Sequence, residues 1–256
     1  MKKLTLFWVL LCVLALSSCQ TELKLAKRYV AERPYIEAAV FFPDQAEVKT
    51  ETDETYGDTE VLKGFDQDLF LDIVFNAYAE ALLDYGVEVY LPVNIDSIPV
   101  DSVHWLVMLS QMEIAGRITE YEDVFFSDND ELSYKHPLNT VNVATWFEIN
   151  DGEWRPVQYC EHNLIDDFSS KVDYSFWENK VDYKASVDTL ELNDIYNYGV
   201  YLGKLYAGYT YDYMMNSYVG KELSKKGYAY QLLLRYDPFK KHLRYAEEGD
   251  GFVGID

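Results

Sequence analysis

Val103-His104-Trp105-Leu106-Val107-Met108-Leu109-Ser110-Gln111-Met112-Glu113-Ile114-Ala115-Gly116-Arg117-Ile118-Thr119-Glu120-Tyr121 is the longest extended stretch of the chain. Its first part, His104 to Leu109, is apolar at every position from Trp105 on, as in a central strand covered on both sides. From Ser110 the pattern alternates. Met112, Ile114 and Ile118 fall on one side, against Gln111, Glu113, Arg117 and Thr119 on the other, so the strand leaves the core there. Gly116 is the expected site of a bulge or bend.

The flanks supply partners for this strand. Downstream, the polar segment Ser127 to Asn139 reads as a link to a strand over Thr140 to Ile149. In that strand Val141, Val143 and Phe147 alternate with Asn142, Ala144 and Glu148. Asp151-Gly152 then turns the chain into Trp154 to Tyr159, which makes three antiparallel strands in succession. Upstream, Ile36 to Phe42 is a short apolar strand closed by Pro43-Asp44, and Gln45 to Glu60 is an acidic, Thr-rich loop. A helix follows over Gln67 to Tyr85. Asp66 or Asp68 suits its start and Gly86 its end, with Leu69, Phe70, Ile73, Val74, Ala77 and Ala81 on the face that packs. Val87 to Leu91 is a second short strand, stopped by Pro92.

The last third is less regular. A short helix is expected over Leu164 to Val172, with the rest of Asn163 to Lys184 unassigned. Glu191 to Lys225 reads as one long helix or as a helix broken near Thr210, because Leu192, Ile195, Gly199, Leu202, Tyr206 and Tyr209 follow the helical period while Tyr209, Tyr211 and Tyr213 alternate. Gly199, Gly203 and Ala207 form a stripe of small residues that would let this helix lie close to a sheet. Gly227 ends it. Tyr228 to Tyr236 then reads as a last strand, turned by Asp237-Pro238 into a partner around His242 to Ala246. Val253 and Phe252 in the acidic tail can dock. The order predicts an α+β fold with a twisted, mainly antiparallel sheet and helices packed mostly on one face.

Forty-nine per cent hydrophobic content excludes a disordered chain, and 44 acidic against 22 basic residues give a formal charge of −22. Such a surface repels phosphate backbones and anionic lipid heads at long range, so nucleic acid is a poor partner and no polybasic patch is expected to bring the chain to a membrane. Lys2 and Lys3 precede an apolar run from Leu4 to Leu16. That run is too short for a bilayer, which needs roughly 20 residues, and it has the layout of a signal peptide.

The run ends in Leu16-Ser17-Ser18-Cys19, which resembles the lipobox of bacterial lipoproteins. The resemblance implies that residues 1–18 are removed, that Cys19 is lipidated, and that the membrane is reached through this lipid. Removal takes two lysines and no acids, leaving 238 residues with a charge of −24. Residues 19–34 would then be the lipidated N-terminus and a short tether, and 35–256 one α+β domain or two intimate lobes, about 35–165 and 166–256. Gln20, where an Asp would mark inner-membrane retention, implies the outer membrane. The order of elements over about residues 35 to 165 also resembles the ABC-transport auxiliary lipoproteins, with the lipobox as the one matching motif.

With Cys12 and Cys19 accounted for, Cys160 is alone and no internal disulfide is expected. Cys160 reads as a small buried hydrophobe. If Cys160-Glu161-His162 is a strand, however, Cys160 and His162 share a side and could share a metal or act as nucleophile and base. His104 reads as a core histidine. Asp128-Asn129-Asp130-Glu131 departs from a calcium-binding loop, having no Gly at its sixth position and Asn139 at its twelfth. No cofactor is expected. The tyrosines of the long helix exceed what one sheet face can bury, and Tyr198, Tyr201 and Tyr209 are the candidates for an exposed partner surface. The reading that follows is a non-enzymatic envelope lipoprotein, an auxiliary or assembly subunit with a protein partner. The alternative is a carbohydrate-binding or carbohydrate-processing surface lipoprotein.

Overall fold

A computed structural model describes residues 21–32, 34–91, 104–127, 130–150, 157–175, 180–230, 233–247 and 253–255. The lipobox, Asp151-Gly152 and Trp154 lie outside these residues. The fold is α+β. Its main sheet has the order β11 (Val253–Ile255), β6 (Val157–Ile165), β5 (Asp130–Asn150), β4 (His104–Ser127), β1 (Ile36–Phe41), β3 (Val87–Tyr90), with β2 (Glu47–Thr50) beside β4. The pairings β11–β6, β6–β5 and β5–β4 are antiparallel, whereas β1 pairs in parallel with both β4 and β3.

β4 is the central strand, but only one of its faces is sealed. Trp105, Val107, Leu109, Met112 and Ile114 are buried beneath the helices, whereas His104, Leu106 and Met108 on the other side are half-buried. His104 is therefore not a core residue. Its Nε2 lies 3.2 Å from Glu37 on the neighbouring strand. The register shift falls between Leu109 and Gln111 rather than at Gly116. Gly116 instead admits a close approach, since a Cβ there would stand 3.1 Å from Val61 and Leu62.

Three further expectations change. The acidic segment Gln45 to Glu60 contains β2, which continues along the edge of β4 that β1 occupies higher up, from Glu47↔Glu113 to Thr50↔Gly116. Its side chains are all exposed, so backbone pairing holds it without any apolar signal. Ser127 to Asn139 is not a link, because β5 starts at Asp130 and pairs with β4 throughout. Pro137 fits there because β6 pairs with β5 only from Thr140 on, leaving that edge open. The helix expected over Leu164 to Val172 is replaced by the end of β6 and by β7 (Asp167–Ser175), which forms a hairpin with β8 (Lys180–Asp188).

Helix α1 spans residues 21–32 and replaces the expected tether, with Leu25, Ala26 and Tyr29 buried. Helix α2 (Gln67–Tyr85) has the expected ends. Asp66 accepts from the backbone N–H groups of Asp68 and Leu69, and Gly86 closes it at φ 83°. Its buried face is Phe70, Leu71, Val74, Ala77, Tyr78 and Leu82, whereas Leu69 is exposed.

Helix α3 (Leu192–Ser224) is unbroken, 33 residues and thus about 50 Å long. A reciprocal box of Glu191 and Asp194 opens it, and Gly227 at φ 77° ends it. Beyond lies the hairpin β9 (Leu234–Asp237) and β10 (His242–Tyr245). From Tyr206 to Asp212 every residue of α3 is buried, because the sheet, α2 and the β9–β10 hairpin surround it. That enclosure explains the blurred periodicity of the tyrosines.

Gly199 and Gly203 face α2 rather than the sheet. A Cβ on Gly203 would stand 2.4 Å from the carbonyl oxygen of Val74 and 2.9 Å from the backbone nitrogen of Tyr78, atoms that cannot step aside. Gly203→Ala should therefore destabilise the fold by about 2 kcal/mol in urea titrations, the scale of an overpacked core. Gly208→Ala, whose nearest neighbour is the Tyr85 hydroxyl at 3.2 Å, should be neutral or stabilising, because alanine is the better helix former by about 1 kcal/mol.

Candidate functional site

Beyond Thr119 and Leu138, β4 and β5 continue for eight further residue pairs, an arm of about 27 Å. The pleat places Tyr121, Asp123 and Phe125 of β4 on the same side as Leu132, Tyr134 and His136 of β5. The β7–β8 hairpin covers that side with Phe168 and Tyr183 and turns Lys171, Asp173, Asp182 and Lys184 outward. Rings hold the two hairpins together. Tyr134 and Tyr183 stack at 4.1 Å and 7°, Phe125 stacks on both, and His136 and Tyr121 meet Phe168 at 4.7 and 4.8 Å. Tyr121 and Tyr134 nonetheless remain 44% and 40% exposed, with Val124, Val172 and Val187 similarly open.

A polar link orders the centre of this ladder. The Tyr183 hydroxyl donates to Asp123 Oδ2 at 3.0 Å and lies 2.6 Å from His136 Nε2, so the single hydroxyl proton is used and Nε2–H must donate to the oxygen. Partial desolvation, with Asp123 adding to it, pushes the Tyr183 phenol up to about 12. It is a hydrogen-bonding post, not a nucleophile. This site escaped the sequence reading, although Tyr121/Asp123/Phe125 and Val181/Tyr183/Ala185/Val187 both alternate with the period of a strand.

A second aromatic group lies on the uncovered side of the sheet. Trp146 and Tyr159 face each other across β5 and β6 at 5.0 Å, and Tyr159 donates to Glu161 at 2.7 Å. Glu148 follows on the same side of β5.

The helix tyrosines divide. Tyr198 and Tyr201 stack at 5.8 Å and 14°, and Tyr201 is 56% exposed. Tyr209 is only 4% exposed and does not belong to a surface. Arg235 lies 4.8 Å above its ring, and its hydroxyl is 3.4 Å from His162 Nε2. The β9–β10 hairpin is fixed here. Asp212 accepts from Arg235 Nε at 3.0 Å and from the Tyr236 N–H at 2.8 Å, with burial raising its carboxyl to about 7 against the pull of Arg235.

Cys160 is buried in the core, its thiol donating to the Thr145 carbonyl at 3.8 Å, and burial pushes it up to about 12. A thiol so held has almost no thiolate at neutral pH. Cys160 and His162 do share a side of β6, but His162 turns to Tyr209. Among the described residues no three His, Cys, Asp or Glu side chains could hold a metal ion. Asp128 and Asn129 lie outside the described residues, and Asp130 and Glu131 already belong to β5. A cleft of about 280 Å3 lies beside α1, between Tyr29, Ile36, Trp105, Met214 and Tyr218, with Glu32 and Lys221 also lining it. No described helix is long and apolar enough to cross a membrane.

No family model matches this chain, and no curated protein does. Among solved structures, the chain is similar to one from Helicobacter pylori described as a neuraminyllactose-binding hemagglutinin homolog. The two share 13% identity over 76% of this chain and 91% of that one, with a TM-score of 0.40, a likeness too low to bear on fold or ligand.

Burial, with the Arg235 cation adding to it, holds the His162 imidazole below its ordinary value of 6.5. The unfolded chain thus takes up a proton that the folded chain refuses. Stability is full above that ordinary value and is lost as pH falls through it towards the folded one. In thermal melts between pH 7.5 and 5, wild type should lose stability relative to His162→Gln; a constant gap between the two would refute this.

Proposed function

We propose that the protein is a lipid-anchored, non-enzymatic subunit of an envelope complex, held at the outer membrane through Cys19 and meeting its protein partner through the β4–β5 arm. The observation that carries this reading is the aromatic ladder on a projection of about 27 Å that keeps Tyr121 and Tyr134 exposed after the two hairpins have packed. Tyrosines carry large contact area on few rotatable bonds, and a few such anchors dominate most interfaces. The Tyr198–Tyr201 pair on α3 is a second contact of the same chemistry. Cys160 and His162 make structural contacts, the thiol with the Thr145 carbonyl and the imidazole with the Tyr209 hydroxyl.

A carbohydrate-binding role is the second reading, favoured by the Trp146–Tyr159 pair beside Glu148 and Glu161, a combination of ring faces and carboxylates suited to sugars. The rings lie on an open sheet face rather than in a groove. Glycan binding there should change tryptophan fluorescence in wild type and not in Trp146→Phe.

Two measurements test the main reading. Cys19→Ala should abolish fatty-acid labelling and leave only membrane association that salt removes. A variant processed normally and still tightly bound would refute the anchor. Tyr121→Ser with Tyr134→Ser should weaken recovery of a crosslinked partner by about 1–2 kcal/mol per ring, and should also lower the melting temperature, because the two rings pack on Phe168 and Tyr183 of the second hairpin. Unchanged recovery from the double variant removes the arm from the proposal.

A further inference from the structure

Lys24, Lys27 and Arg28 are exposed and lie three and four residues apart in α1, opposite the buried Leu25, Ala26 and Tyr29. They form one outward stripe. Arg28 joins this stripe to the end of α3. Its Nε donates to the Tyr218 hydroxyl at 2.8 Å, and its terminal nitrogen lies 3.2 Å from Glu222 Oε2. Lys225 takes the other oxygen of Glu222 at 2.7 Å. The exposed side of α1, with Lys24, Lys27 and Arg28, thus adjoins the end of α3 and the turn beyond it, with Lys221, Lys225 and Lys226. The carboxylates that Arg28 and Lys225 meet are Glu222 and Glu32. Tyr228, exposed, follows directly on the turn at Gly227.

A basic face is unexpected on a chain of formal charge −22. It also lies where the anchor would be, since Cys19 precedes the start of the described helix by two residues, no more than about 7 Å of extended chain. Glu32 and Glu222 offset part of this charge and Glu22 of α1 is buried, while acids more than about 8 Å away are largely screened at physiological salt. We infer that this face lies against the anionic lipid headgroups of the membrane that holds Cys19. Acyl chains bind membranes weakly one at a time, and a basic surface beside the lipid is the usual second contribution. Tyr228, apolar in body and polar at its tip, suits the same headgroup layer. The inference deepens the anchored reading and rests on it.

The test uses the mature chain, residues 19–256, with Cys19→Ser, so that the body's own contact is read without the lipid. It is mixed with vesicles of phosphatidylcholine alone or with one third phosphatidylglycerol, and the bound fraction is measured by sedimentation at low and high salt. Binding should require phosphatidylglycerol and weaken with salt. Each of Lys24→Gln, Lys27→Gln and Lys226→Gln should lower it on the order of fivefold, from about 1 kcal/mol per lysine near a charged surface. Lys204→Gln, exposed earlier on α3, should leave it unchanged. Equal binding to both vesicles, or binding that ignores the α1 lysines while responding to Lys204, overturns the inference. Acyl labelling of Cys19 in the full chain is read separately, so absence of label would sink the anchor alone.

Discussion

The crossing of α2 over α3 at Gly199 and Gly203 is the contact on which the rest of the molecule depends. Backbone meets backbone there, since the space a single methyl group would need on Gly203 is already taken by the carbonyl of Val74. Close approach at this point lets Phe70, Val74 and Tyr78 reach the interior. It also lets Tyr78 meet Thr210 at 3.0 Å while Tyr206, one turn before Thr210 on α3, meets Thr145 of the sheet at 2.9 Å. Both buried hydroxyl pairs are satisfied only because the helix sits at that depth. The two helices and the inner side of the sheet then share one contiguous core.

Enclosing α3 has a consequence for its polar residues. Asp212 and Asn216 lie on a buried helix, yet each finds partners on β9: Asp212 takes Arg235 and the Tyr236 N–H, and Asn216 bonds both the N–H and the carbonyl of Leu234. Without these bonds the burial of a carboxylate and an amide would be costly. The same groups therefore fix where the C-terminal hairpin docks. That hairpin in turn places Arg235 over Tyr209 and shuts the ring off from solvent.

Where the sheet outruns its helices, cohesion changes character. The arm of β4 and β5 has no helix beneath it. It is held by stacked rings from a second hairpin that leaves part of each ring in water. Aromatic contacts of this kind keep a flat surface ordered without hiding it, which is what a partner-binding face requires. The basic face beside α1 differs in kind, because its attraction is electrostatic and salt can screen it. The aromatic arm and the basic face thus lie on separate elements.

Elements with strong local signals were legible in the sequence. α2 appeared with both of its ends, because capping and glycine chemistry act within a few residues; so did β1, β3 and the core role of Cys160. The α+β class followed from their order. The arm was missed because its aromatic residues alternate with polar ones such as Glu122, Ser133 and Lys135, a mixture that resembles a loop, and β2 because an edge strand is held by its backbone alone. Tyr209 was misplaced because exposure on a helix depends on how many neighbours surround it, and periodicity counts only one. The basic face was invisible for a simpler reason. Lys24, Lys27 and Arg28 are nearly two hundred residues from Lys221, Lys225 and Lys226, and no composition of the whole chain reveals a patch that exists only once α1 has packed on the end of α3.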